Sequence, residues 1–474
     1  MKRYVFSWLA ALLVIGCGDS DSADTDTETA GDPTTTDDTD SDSDTETVPE
    51  HPLQAVTITK SSEISTVAIL EWKEDLGDIK TDDIEEAYIE FGLGDALDKT
   101  FPINIEVENM RTVLLGMKAG MLTYSIRTTV VVDGESYVSP AYQFETGFAP
   151  TDAPVGSEEY RHASKPVEDG YILMGAYTNL YAFIIDTEGD LVWWTEGVNQ
   201  GDMFTGTSDV VMDWSGQYIY MIATNPARED GAVIRRVSVD GQETENFPAG
   251  RAHHSLKAAP EGGVFFIQSA EDEIDAVMYM NEAGKISEVF KWTDVIPFTA
   301  ATHSNFLGYD AEADAFFLSS RDYDTAAYVT RDGKLVWSLG RDDYQTVESE
   351  DFPMGTEHDI IALHGMFAWN SGKDLLLFNN VGTEDSNIFH YALNDDFDAA
   401  DTAWTYSRNG AYSNTLGGVQ RLPGGNTQIV YSNSGVINQI DDDMEVVHRI
   451  DFNGINSVGY GNWRPNLYGP PPQL

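Results

Sequence analysis

The chain contains a single cysteine, Cys17, and so few basic residues that 27 Lys and Arg face 80 Asp and Glu, for a formal net charge of -53 at pH 7. One thiol allows no intramolecular disulfide, so folded parts must be held by their cores alone. Scarce, scattered cations exclude a nucleic-acid binder, because phosphate recognition needs clustered Lys and Arg to release counterions. The apolar stretch from Tyr4 to Ile15 falls short of the roughly 20 residues that a membrane-spanning helix needs. Apolar residues are not lacking, however: 41% of the chain is hydrophobic and 11% aromatic, enough to bury a core. The acidity therefore does not signal wholesale disorder, and 474 residues suggest two or three domains.

Lys2 and Arg3 followed by the apolar stretch read as a secretory signal over residues 1–16. Its end, Leu13-Val14-Ile15-Gly16-Cys17, resembles the bacterial lipobox, which implies cleavage before Cys17 and lipid attachment to it. Residues 18–50 hold 13 acids, no base and no aromatic. Nothing there repays the entropy of ordering, so 17–50 is expected to be a lipid anchor with a self-repelling tether. The acid run lacks the Gly and closing Glu of a calcium-binding EF-hand loop. These features predict a lipid-anchored protein in the cell envelope of a Gram-negative-type bacterium, periplasmic or on the cell surface. Residues 51–474 are also acidic, with 67 acids against 25 bases, so an anionic substrate needs local positive groups.

Residues 51–148 alternate apolar and polar positions in short runs, as in Ser65–Trp72 and Ser125–Val132, and Asp133-Gly134 is a strong hairpin signal. This pattern predicts a β-sandwich. Trp72 in an early strand, and Leu115–Gly120 followed by Tyr124, resemble a fibronectin type III domain. Its expected role is a spacer or a homodimerisation module.

Beyond a Pro- and Gly-containing joint the sequence becomes repetitive, with segments starting near Tyr171, Ser208, His254, His303, His358 and Gly418. Ala259–Ile267 matches Leu422–Val430, and Asp186–Trp193 matches Thr330–Trp337, each pair built around a Gly-containing turn. All-β repeats of this size predict a six-bladed β-propeller over 160–474, with a β-helix as the rival. The fold class expected is all-β.

His254, His303 and His358 stand at the starts of three successive repeats, so rotation about a propeller axis should bring their imidazoles to one channel mouth. His253 is expected to point away by strand alternation, although the choice between His253 and His254 could be off by one. Arg321 should return on a second strand to the end that holds His303.

His303 and Asn305, Ser319-Ser320-Arg321, Gly333–Gly340, Glu357-His358-Asp359, Leu375–Asn380, Gly418–Asn426 and Arg464 together resemble the bacterial aryl sulfotransferases that use an aryl sulfate as donor. The resemblance implies that His358 takes the sulfuryl group as a transient sulfohistidine. It also implies that His254, His303 and Arg321 hold the sulfuryl oxygens and assist proton transfer, and that Asn305 lies near the phenol. The implied partners are a small aryl sulfate and a phenol, with membrane contact through Cys17, and no nucleotide, cofactor or metal is required. This sequence lacks the cysteine pair that some relatives carry near the site. Its Glu357 places a charge beside His358 that could raise the imidazole pKa.

The chemistry suits these residue types. Attack on an anionic sulfate needs a neutral nucleophile with a free lone pair and fixed positive donors around the oxygens. Neutral imidazole and arginine supply them. Two other readings remain open from the sequence: a non-catalytic binding propeller with an inherited site, and a lyase or hydrolase whose histidines hold a metal.

Overall fold

The computed structural model describes residues 55–72, 83–103, 111–176, 182–195, 207–223, 231–340, 360–380, 385–408, 411–454 and 457–472. The signal, Cys17, the tether and His358 with Glu357 lie outside these residues. Among the described residues no helix is long and apolar enough to cross a membrane.

The N-terminal part pairs two antiparallel sheets. One consists of Ala55–Lys60, Ala68–Trp72 and Arg111–Leu114. The other is built on Ile84–Leu93 and Thr123–Val132, with Lys99–Pro102 at one edge and Glu135–Val138 and Tyr142–Glu145 both pairing with Thr123–Val132. The hairpin expected at Asp133-Gly134 is present: both residues have positive φ, 51° and 75°, and Val132 pairs with Glu135. Such a turn follows the twist of the flanking strands. Trp72, Ile89, Phe91, Leu114 and Tyr124 fill the space between the sheets, and the Tyr124 hydroxyl accepts the Lys118 N–H at 2.9 Å.

The described residues of the rest of the chain form six antiparallel sheets in succession. Their first strands in chain order are Tyr171–Gly175, Thr207–Met212, Ala252–Ala258, Ser304–Asp310, Met366–Trp369 and Gly418–Arg421. Each of these packs beside the next along the series. Inner strands such as Ala182–Asp186 and Tyr218–Ala223 are almost wholly buried, as expected for sheets covered on both faces.

The first sheet is completed by the end of the chain. Asn462–Arg464 pairs with Tyr171–Gly175, so the strand at Tyr171 is second in its sheet rather than first. This explains the turn homology. Asp186–Asp190 and Thr330–Lys334 both join the third and fourth strands of a sheet, and both close on a left-handed glycine, Gly189 or Gly333. At the other end of the series, Gly156–Arg161 adds a fifth strand to the sixth sheet. Strands from the two termini of this region thus tie the first and last sheets.

The sandwich and the repeated sheets belong to one compact unit, Glu50–Leu474. Ile64, Val67, Val113 and Leu115 join the same buried cluster as Leu191, Trp193 and Val239. Arg111 pairs with Asp240 at 2.6 Å, and the Lys118 ammonium meets Asp186, Glu188 and Asp190. Burial alone would lower the Lys118 pKa, but hydrogen bonds to Asp190 and Glu188 and the charge of Asp186 hold it well above its ordinary value.

Candidate active site

The starts of the third, fourth and fifth sheets bring together His253, His254, His303 and His364. Ring centroids lie 5.3 Å apart for His254 and His303, 6.2 Å for His254 and His364, and 6.2 Å for His253 and His303. His254 therefore neighbours both His303 and His364.

Two expectations from the sequence need correction. His253 does not point away. The pairing of Ala252–Ala258 with Val264–Ser269 slips between His253 and Leu256, and His254 takes a left-handed φ of 58°. This irregularity defeats alternation and puts both imidazoles on one side, with their Nδ1 atoms 2.7 Å apart. The fifth sheet also starts later than expected, at Met366, so the histidine next to its first strand is His364. That residue was missed. The signal that could have found it is its spacing to Leu375–Asn380, which forms the second strand and its end.

His254, His303 at 43° and Ala362 at 51° all have positive φ. Such conformations are costly and persist only where surroundings over-determine them, which makes their clustering a functional indication. Gly365 shows how tightly the backbone is set. A Cβ there would stand 2.5 Å from the Gly417 carbonyl oxygen, so only glycine permits this approach between the fifth and sixth sheets.

His364 is 4% exposed, and its Nδ1 lies 3.0 Å from the Ala362 carbonyl and 2.9 Å from Asn380 Oδ1. The Asn380 amide nitrogen donates to the carbonyls of Ser413 and Leu416, which fixes Oδ1 toward the ring. Facing two acceptors, Nδ1 must carry the proton, and Nε2 is left with its lone pair. Burial pushes the His364 pKa down to about 4, against the raising effect of those hydrogen bonds. His254 is driven well below its ordinary value by burial and then by His253, His364 and His303. His303 is lowered by burial and by Arg321. His364, His254 and His303 are thus neutral imidazoles at neutral pH.

Arg321 returns to this end as expected. Its backbone N–H donates to the His303 carbonyl, and its guanidinium lies 3.4 Å from His303 Nε2. It also pairs with Asp322 at 3.2 Å and stays partly exposed, so its positive charge is shared. Asp275 is buried beside His253, and the site is more evenly balanced in charge than the sequence suggested. Asn305 is fully buried and donates to the Leu363 carbonyl at 2.6 Å, one residue before His364, while its Oδ1 is buried without a hydrogen-bond partner.

Trp214 and Trp463 line a cavity of about 130 Å³ with Lys257 and Phe306, and none of the clustered histidines borders it. Asp186, Glu188 and Asp190 have oxygens close enough to hold a cation, but they face Lys118.

A family model described as Arylsulfotransferase (ASST) matches residues 157–456. No curated protein matches the chain. Among solved structures, a protein of unknown function from Bacteroides caccae is 12% identical, covering 62% of this chain and 99% of its own, with a TM-score of 0.42. A streptogramin B lyase is 13% identical over 64% of this chain and 89% of its own, with a TM-score of 0.39. TolB from Acinetobacter baumannii is 10% identical over 74% and 80%, with a TM-score of 0.42.

Proposed function

Since the chain belongs to the arylsulfotransferase (ASST) family, we propose that it moves a sulfuryl group from an aryl sulfate to a phenol through a transient sulfohistidine on His364. The family makes it a sulfotransferase with small aryl sulfates and phenols as substrates. The observation that carries the finer reading is the His364 imidazole, whose Nδ1 proton is committed to two acceptors and whose Nε2 lone pair is free. His358 was the nucleophile expected from the sequence, and it lies outside the described residues.

In the first half-reaction the His364 Nε2 lone pair attacks sulfur and the bond from sulfur to the aryl oxygen breaks. Arg321 supplies fixed positive charge to the sulfuryl oxygens, with His303 beside it. The departing phenolate, of parent pKa about 10, takes a proton from His254. In the second, an acceptor phenol loses its proton to His254 and its oxygen attacks the sulfur on His364. Asn305 Oδ1, an acceptor without a partner, suits a phenol O–H. This double displacement is ping-pong and uses neither nucleotide nor metal.

The arrangement around the site fits a six-bladed propeller, with the N-terminal sandwich as a fibronectin type III-like spacer or dimerisation module. Cys17 as a lipid anchor would hold the enzyme in a bacterial cell envelope at the end of an acidic tether.

The test uses protein lacking the leader, with 4-nitrophenyl sulfate and phenol. Wild type should release nitrophenol and, with donor alone, gain the mass of one sulfuryl group. His364→Asn should lose both. An adduct that survives His364→Asn and vanishes in His358→Asn moves the nucleophile to His358, and an intact donor across pH 5–9 ends the sulfotransferase reading.

A further inference from the structure

The sulfuryl-transfer reading leaves a proton unaccounted for between half-reactions. The leaving phenolate removes one and the acceptor phenol brings one back, yet burial disfavours a lasting cation on His254 itself. A chain of two side chains runs behind His254 and ends on a buried carboxylate. We propose that His253 and Asp275 form a proton store that acts through His254, holding on the enzyme the proton that the two half-reactions exchange. This deepens the proposed function and rests on it.

Asp275 begins the third strand of the sheet that carries the two histidines, and it is 1% exposed. Its carboxylate accepts the Ser304 N–H and the Ser269 hydroxyl, the latter at 2.6 Å, while its own N–H donates to Thr302 Oγ1. His253 Nε2 lies 3.1 Å from Asp275 Oδ1 and 2.9 Å from Ser269 Oγ. The Ser269 proton is already directed at Asp275, so the hydrogen facing the carboxylate from the imidazole is His253 Nε2–H. The groups facing His254 and His253 are Asp275 and Ser269 from their own sheet, His303 from the fourth and His364 from the fifth, with Arg321 and Asp322 beyond His303.

A separation of 2.7 Å between the Nδ1 atoms of His253 and His254 requires one proton between them, since two lone pairs or two N–H groups would repel. Two states satisfy this. In the loaded state His253 carries both ring protons, Nε2–H to Asp275 and Nδ1–H to His254, while His254 presents Nε2–H to the site. When the phenolate takes that Nε2 proton, the shared proton moves from His253 Nδ1 to His254 Nδ1. The unloaded state then has His253 neutral with Nε2–H still on Asp275, and His254 with a free Nε2 lone pair. The acceptor phenol gives its proton to that lone pair and the shared proton moves back. One proton leaves and one returns, with the positive charge resting beside the Asp275 carboxylate rather than on His254. The carboxylate therefore acts as a positioning and charge-compensating group and does not itself become protonated.

The experiment compares wild type with Asp275→Asn and His253→Gln on two donors, 4-nitrophenyl sulfate and phenyl sulfate. The first has a leaving group that needs little protonation and the second one that needs it fully. Asp275→Asn keeps an acceptor for the Ser304 N–H but removes the compensating charge. Both variants should lose about 100-fold or more in kcat on phenyl sulfate and less than about 10-fold on 4-nitrophenyl sulfate, the scale expected of general acid catalysis. Equal losses on both donors, or none, overturn the store. Nitrogen-15 shifts of His253 provide a readout independent of turnover: both ring nitrogens should be protonated in wild type at neutral pH and only one in Asp275→Asn. A singly protonated His253 in wild type overturns the store even if sulfuryl transfer is active. A wild type inactive on both donors instead removes the reaction the store would serve.

Discussion

Asn380 holds His364 through a hydrogen bond of 2.9 Å from ring Nδ1 to its Oδ1, and both hydrogens of its amide nitrogen are spent on the carbonyls of Ser413 and Leu416. The orientation of the amide is thereby fixed by backbone groups ahead of the sixth sheet, and the tautomer of the imidazole by the amide. A neutral acceptor in this place directs the free lone pair without drawing a second proton onto the ring.

Replacing that neutral acceptor with a charged one should change the pH response of the site, besides removing the two donations to Ser413 and Leu416. In Asn380→Asp the carboxylate favours the imidazolium and raises the His364 pKa from about 4 toward the ordinary value. The variant should form the sulfuryl adduct at close to the wild-type rate near pH 8 and about 10-fold more slowly near pH 5. Single-turnover release of nitrophenol across that range checks this.

Wild type itself should keep its nucleophile active in acid. Protonation consumes the Nε2 lone pair, so adduct formation falls as pH drops through the folded pKa, which burial has placed at about 4. The acid limb of the first half-reaction should therefore lie more than a unit below the roughly 6.5 of an unperturbed histidine. A limb at 6–7 with 4-nitrophenyl sulfate would show that another group, such as His358, controls the step.

Arg321 should be needed as a guanidinium and not only as a charge. It approaches His303 at 3.4 Å while pairing with Asp322, an arrangement its planar fork permits. Arg321→Ala should lower kcat/KM for 4-nitrophenyl sulfate by about 100- to 1,000-fold, the scale of removing one oxyanion donor. Arg321→Lys should recover part of it. A loss seen only in KM would confine Arg321 to ground-state binding.

What could be read ahead of the structure was local chemistry. Gly189 and Gly333 mark turns that any chain with those residues tends to form, and Asp133-Gly134 makes its hairpin as written. The register of His254 and His303 also survives folding, and Arg321 returns to His303 because two antiparallel strands of similar length must bring their far ends together. The positions that escaped depend on tertiary packing. His253 faces the site through a bulge that alternation cannot anticipate. His364 escaped because His358 stood nearer the expected repeat start, while the strand begins only at Met366. Asp275 lies more than twenty residues from His253 in sequence and meets it only across the sheet. The closing strand Asn462–Arg464 depends on the two ends of the repeated region meeting.

The seat of His364 should also be vulnerable to the smallest possible addition. Gly365 follows the histidine, and a methyl group there would stand 2.5 Å from the Gly417 carbonyl oxygen and 2.8 Å from the Gly418 Cα. Both are backbone atoms, so relief needs the fifth and sixth sheets to part locally. Gly417 cannot easily yield, because its φ of 104° suits glycine and a Cβ on it would meet Phe378. Gly365→Ala should cost about 1–3 kcal/mol in stability by overpacking, read from urea or thermal unfolding. It should lower adduct formation by a larger factor than Gly134→Ala, whose Cβ would meet nothing within 4 Å. Both variants replace a glycine, and the Gly134 change pays for its positive φ of 75°. Only the Gly365 change displaces His364 from Asn380, so unequal activity at comparable stability separates a moved nucleophile from a weakened fold.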